Sequence, residues 1–167
     1  MKAITHDNWL MADAGGRGTV VDARVWREAF LGIQLDPAVP GDVARMFEAA
    51  RAGMLYGYFF QPLLAMAVEQ CYRVLESGAR ARCVLAGLPV YCDDSQGKPH
   101  PLSFAHNLRA LAKLGLIADT DLLLWRQAPE LRDWVTAPAH QAALTLDHGR
   151  TALARAAELL GKLFQAR

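Results

Sequence analysis

Arg132-Asp133 followed by His140 is the pairing in this chain whose residue types and spacing could do chemistry. A guanidinium offers fixed donors to a phosphate and stabilises developing negative charge. An imidazole titrates near neutral pH and can take up or release a proton during a reaction. The arginine is expected to close one helix and the histidine to open the next, across a short turn that contains Pro138. A plainer reading uses the same residues. Arg132 pairs with Asp133, Glu130 or a carboxylate of Glu69 or Glu76, and His140 caps or packs at a helix start. Asp147, two turns beyond His140 on nearly the same face, then only adds solvation.

Other constellations carry less. Cys71, Cys83 and Cys92 are odd in number and form no C-x-x-C pair, which argues against a disulfide framework or a structural zinc site. Cys83 and Cys92 with His100 or His106 lack the spacing of a metal knuckle, so no metal and no cofactor is expected. Cys71 falls on an apolar stripe, where a thiol is usually inert. The glycine-rich stretch 14–19 lacks the Gly-Lys-Ser/Thr ending of a phosphate loop and reads as a surface loop.

The elements that position these residues read as helices. The 167 residues are 53% hydrophobic and 21% charged, enough to form a core and too apolar for a disordered chain. With 18 Lys and Arg against 17 Asp and Glu, the net charge of +1 excludes a dedicated nucleic-acid coat or a polybasic membrane binder. Asp22 is placed to cap a short helix through Ile33, with Val25, Ala29 and Gly32 or Ile33 on its inner face. Asp42 is placed to cap the next, where Val43, Phe47, Ala50 and Met54 form an amphipathic stripe. Pro62 should kink or restart the chain.

From Leu63 to about Leu85 the pattern is clear. Leu64, Val68, Cys71, Leu75 and Gly78 lie on one side, and Glu69, Arg73, Glu76 and Arg80 on another. That charged stripe is a solvated face or, alternatively, the wall of a functional groove. Asp93 to Pro101 reads as an exposed loop, and no stretch is long enough for a sheet. Ser103 should cap a helix carrying Leu108, Leu111 and Leu114, stopped at Gly115-Leu116. A further helix starts at Asp119 or Asp121, with Leu122, Leu123 and Trp125 inside and a break near Ala128 because of Pro129. Pro138 should open a long last helix, with Leu146, Leu153, Ala157, Leu160 and Phe164 in its seam. The sum is an all-α bundle of about five helices over 42–167, preceded by an N-terminal extension, 1–40, with one short helix.

Between Arg51 and Glu69 lie 17 uncharged residues, but Gly53, Gly57, Gln61 and Pro62 interrupt them, which favours a buried helix over a membrane span. The polar start, Met1 to Asp7, lacks the apolar core of a signal peptide, so a cytoplasmic chain is expected.

Around Arg132 and His140 the sequence resembles the HEPN superfamily of helical domains, whose mark is an arginine, a polar residue and then a histidine a few positions on. Tyr56-Gly57-Tyr58-Phe59, followed by the stretch from Val74 to Arg82, is similar to the central helix of HEPN-like bacterial proteins. Leu108–Ile117 is similar to their third helix, and the resemblance covers roughly 42–165. It implies a bundle that dimerises. In active members, arginine and histidine from two subunits face one cleft and cut RNA through the ribose 2′-hydroxyl without metal. Asp133 would orient one of the two groups, and Pro138 would fix the turn. Two departures stand out. Seven residues lie between Arg132 and His140, a wider gap than the motif usually leaves, and Asp133 puts a carboxylate where asparagine is more usual.

Three functions follow as expectations. The first is a HEPN-like interaction module, dimeric through Tyr56, Tyr58, Phe59 and Phe60, that binds a protein, RNA or nucleotide partner over a degenerate Arg-Asp…His site. The second is a metal-independent endoribonuclease using Arg132 and His140. The third is a small-ligand-binding bundle whose Tyr56–Val68 segment lines a pocket. Glu76, Arg80 and Tyr56 are the candidate binding residues.

Overall fold

Helix α3 (Pro62–Leu85) runs through the middle of the bundle, and the other long helices pack around it. The computed structural model describes residues 3–13, 21–141 and 143–165. The glycine-rich stretch 14–19 lies outside them. Before α3 come α1 (Ala23–Leu31) and α2 (Gly41–Tyr56). After it come the strands β1 (Tyr91–Asp93) and β2 (Pro99–Pro101), then α4 (Phe104–Lys113), α5 (Asp119–Thr136), α6 (Pro138–Gln141) and α7 (Leu146–Gln165). The molecule is an all-α bundle, with seven helices among the described residues rather than about five. No described helix is long and apolar enough to cross a membrane. The 17-residue uncharged stretch is divided between α2, a turn and α3.

Several local signals act as their chemistry dictates. Asp22 accepts from the backbone N–H groups of Arg24 and Val25, and Ser103 accepts from that of His106, so both satisfy donors that a helix start leaves open. At the end of α4, Gly115 takes φ +72°, and the N–H groups of Leu116 and Gly115 reach the carbonyls of Leu111 and Ala112. This Schellman stop needs a residue free of Cβ strain. All five residues of the predicted α3 stripe are buried.

Other expectations change. Asp42 does not cap α2. Pro40 precedes that helix, and Asp42 sits in its first turn, paired with Arg45. The inner face of α1 is rotated by one residue. Val25 is 56% exposed, whereas Phe30 is fully buried and the Trp26 indole N–H donates to the Met54 carbonyl at 2.9 Å. Along α5, Leu123 is 63% exposed while Trp125 is buried. That helix also continues through Pro129 to Thr136. Proline removes one helical hydrogen bond, but Trp125, Ala128 and Val135 are buried on both sides of it, and their burial outweighs the local cost. The last helix is split instead, into α6 and α7. Thr145 caps α7 reciprocally with His148. The Thr145 hydroxyl accepts from the His148 backbone N–H, and the His148 Nδ1 accepts from that of Thr145.

The expected loop at 93–101 contains a hairpin in which Cys92 is opposite His100. Asp94 organises its turn, accepting from the backbone N–H groups of Gln96 and Lys98, both at 2.8 Å, with His100 Nε2 at 3.0 Å. These bonds, led by that from Lys98, hold the Asp94 carboxyl below its ordinary value of 3.8. The sign follows directly. A depressed folded value stabilises the turn above pH 3.8 and is lost as the pH falls through the lower folded value. The protection of the Gln96 and Lys98 amides, taken relative to their intrinsic exchange at each pH, should therefore fall in acid below that point, and Asp94→Ala should lack it already at pH 7.

Helices α3 and α7 run in the same direction and approach closely at two glycines. A Cβ on Gly149 would lie 2.6 Å from Leu64 Cδ1, and a Cβ on Gly78 would run into the Leu160 side chain, which is fully buried. Overpacking of this kind costs about 1–3 kcal/mol. Gly78→Val is thus expected to lower the melting temperature by about 4–8 °C, for a loss near 2 kcal/mol in a chain of this size. Calorimetry checks this, and an unchanged melting temperature would contradict the close packing.

Candidate ligand site between three helices

The residues singled out by sequence do not converge. Arg132, on α5, donates through Nε and Nη2 to Asp133 Oδ1 at 2.8 and 2.6 Å. Its guanidinium lies 4.6 Å from the centre of the Tyr72 ring on α3. The hydrogen bonding of Arg132 to the Asp133 carboxylate raises the pKa of Arg132 further. Burial raises that of the Tyr72 phenol, and the Glu76 carboxylate adds to the effect. His140 belongs to a different surface. Its ring stacks on the Trp134 indole, with centroids 4.6 Å apart and planes 7° apart. Its Nδ1 lies 2.9 Å from the Trp134 carbonyl oxygen, which can only accept, so Nδ1 carries the proton.

Positions 132 and 134 are about 200° apart around a helix. Arg132 and Trp134 therefore leave α5 on nearly opposite sides, and His140 follows Trp134. Among the described residues no hydrogen bond, ion pair or ring contact joins Arg132 to His140. Among the described residues the Asp133 carboxylate pairs with Arg132, and its backbone carbonyl accepts from the Thr136 hydroxyl. Asp147 is on α7, beyond the break that ends α6, and so does not share a helix face with His140.

The proposed binding residues are also scattered. Glu76 lies one turn beyond Tyr72 and is 3.9 Å from Arg80, both half-buried. Tyr56 is 62% exposed at the end of α2, about four turns of α3 away from Glu76. The neighbouring Tyr58, Phe59 and Phe60 are half-buried. Tyr58 meets Trp26 and Phe59 edge-on, at 6.0 and 5.2 Å, and holds α1 in place. Only Tyr56 of the four remains as exposed aromatic surface.

Two of the three cysteines, Cys71 and Cys83, are buried and chemically quiet, while Cys92 is exposed. Burial pushes the Cys71 thiol up to about 12, and raises that of Cys83. No cluster of three or more His, Cys, Asp or Glu that could hold a metal occurs among the described residues.

The feature with the shape of a site is a cavity of about 370 Å³ between α3, α5 and α7. Val68, Cys71, Tyr72 and Leu75 form its α3 wall, and Leu124, Ala128 and Leu131 its α5 wall. Helix α7 closes it with Ala152, below a polar mouth of Asp147, His148, Thr151 and Arg155. Of the Tyr56–Val68 segment expected to line a pocket, Val68 lines this cavity and the others do not. The α7 residues escaped the sequence reading because its seam, Leu146, Leu153, Ala157 and Leu160, marks a different face. A signal existed in the repeat of Leu124, Gln127 or Ala128, and Leu131 at helical spacing, hidden by the assumed break at Pro129. A second cleft of about 520 Å³ opens on the other side of Tyr72, rimmed by the exposed Arg109 and Arg126.

Comparison with protein-family models, with curated proteins and with solved structures gives no match to this chain.

A double-mutant cycle tests the separation of the two sequence-motif residues. Arg132→Ala should cost up to about 1 kcal/mol from the lost ring contact and surface pair. His140→Ala should cost about 1–2 kcal/mol from its stacking and hydrogen bond. The double variant should lose the sum of the two in urea unfolding, within about 0.5 kcal/mol, because the residues share no partner. A larger coupling would place them in one network.

Proposed function

We propose that this chain is a small-ligand-binding helical bundle whose site is the cavity between α3, α5 and α7. The observation that carries this reading is the combination of an apolar floor with a polar mouth in a volume of about 370 Å³. Sites of a few hundred cubic ångströms, lined mainly by apolar side chains with a few polar groups at fixed positions, are the usual form of a small-molecule pocket. Burial of a ligand's apolar body supplies about 25 cal/mol per Å² removed from water. Three helices hold the walls, so little ordering cost is added on binding.

The HEPN-like alternatives place other demands on the molecule. A ribonuclease site built from Arg132 and His140 would need two copies to bring together groups that one chain turns apart. It would also need phosphate to displace Asp133 from Arg132. RNA cleavage that persists in EDTA and disappears in both Arg132→Ala and His140→Ala would favour that reading over ligand binding.

The cavity reading is tested with anilinonaphthalene sulfonate, an anionic dye whose apolar ring system brightens when shielded from water. The dye should bind with one-to-one stoichiometry. Leu131→Glu places a charge in the apolar wall at a residue already 38% exposed, and should weaken binding about tenfold with little change in melting temperature. Equal dye binding by that variant would remove the cavity from consideration.

A further inference from the structure

The mouth of the cavity is rich in donors, and this specifies the ligand's polar end. Arg155 is half-buried at the mouth, two turns beyond His148 on α7, and has no ion-pair or hydrogen-bond partner among the described residues. A guanidinium in that position carries a permanent charge and a fork of donors. His148 adds a second donor. Its Nδ1 accepts from the Thr145 backbone N–H at 3.1 Å and lies 2.8 Å from the Thr145 hydroxyl, so in the neutral ring the proton resides on Nε2. The reciprocal cap with Thr145 thus fixes both the ring and its tautomer. The Thr151 hydroxyl and the Gln127 amide stand at the same mouth, and Asp147 is the one acid lining it.

We infer that the cavity takes an anionic amphiphile, a carboxylate with a short aliphatic tail. The tail fills the space between Val68, Leu75, Leu124 and Leu131, and the carboxylate meets Arg155 and the His148 Nε2–H. The inference rests on the ligand-binding reading above and adds the class of ligand. Charge-assisted hydrogen bonds are about twice as strong as neutral ones, so the head group should discriminate between ligands with identical tails. Asp147 opposes the same carboxylate by like-charge repulsion and sets a limit on affinity.

The experiment compares octanoate, octan-1-ol and octylamine by isothermal titration into the full chain. Octanoate should bind about five- to tenfold more tightly than octanol, and octylamine more weakly than either. Arg155→Gln should abolish the preference of octanoate over octanol, weakening octanoate far more than octanol. Asp147→Asn should tighten octanoate binding a few-fold. Melting curves of both variants establish that they are folded. Octanol binding as tightly as octanoate, or an unchanged preference in folded Arg155→Gln, overturns the anionic assignment and leaves the apolar cavity standing. Failure of all three probes to bind at millimolar concentration overturns the ligand-binding reading along with it.

Discussion

The closeness of α3 and α7 is the constraint on which the rest of this molecule depends. They run in the same direction and meet at two points, where Gly149 admits Leu64 and Gly78 admits Leu160. Each leucine side chain sits where the facing residue carries no Cβ. Beyond the second contact, Arg82 on α3 donates through Nε to the Leu163 carbonyl at 3.1 Å, satisfying an acceptor that the end of α7 would leave open. The two helices are thus pinned at both ends of their shared length.

The cavity lies beside this pair of helices. On α3 it takes the turns from Val68 to Leu75, and on α7 those from Asp147 to Arg155. Small residues stand on both of those walls, Cys71 on α3 and Ala152 on α7, and α5 completes the lining with Leu124, Ala128 and Leu131. A space of this kind carries a cost, since unfilled apolar volume forgoes dispersion contacts that a packed interior would have. The rest of the core is well buried, with Val43, Phe47, Met54 and Phe30 each at most 1% exposed.

Tyr72 links this cavity to the rest of the surface. It forms part of its wall, borders the cleft on its other side, meets Phe104 edge-on at 5.5 Å, and carries the Arg132 guanidinium over its ring. Arg132 therefore has a structural partner on α3 as well as Asp133 beside it. Its position is explained by these contacts, without a phosphate. His140 is likewise held by Trp134, through ring stacking and the hydrogen bond to its carbonyl.

What the sequence settled by itself is local. The buried stripe of α3, the caps at Asp22 and Ser103, the stop at Gly115 and the all-helical class all follow from spacing and from the chemistry of single residues. Each of those signals acts within about one turn of backbone or along one face of one helix. Sequence could not decide which face meets which neighbour. Arg132 and His140 are close along the chain, yet the helical period sends Arg132 and Trp134 to opposite sides of α5, and the contact with Trp134 takes His140 along. The passage of α5 through Pro129 and the break between α6 and α7 were decided by burial at Trp125, Val135 and Leu144, which outweighs local propensity. The cavity belongs wholly to the tertiary structure, because its walls come from three helices distant in sequence and its existence depends on how closely two glycines let α3 and α7 approach.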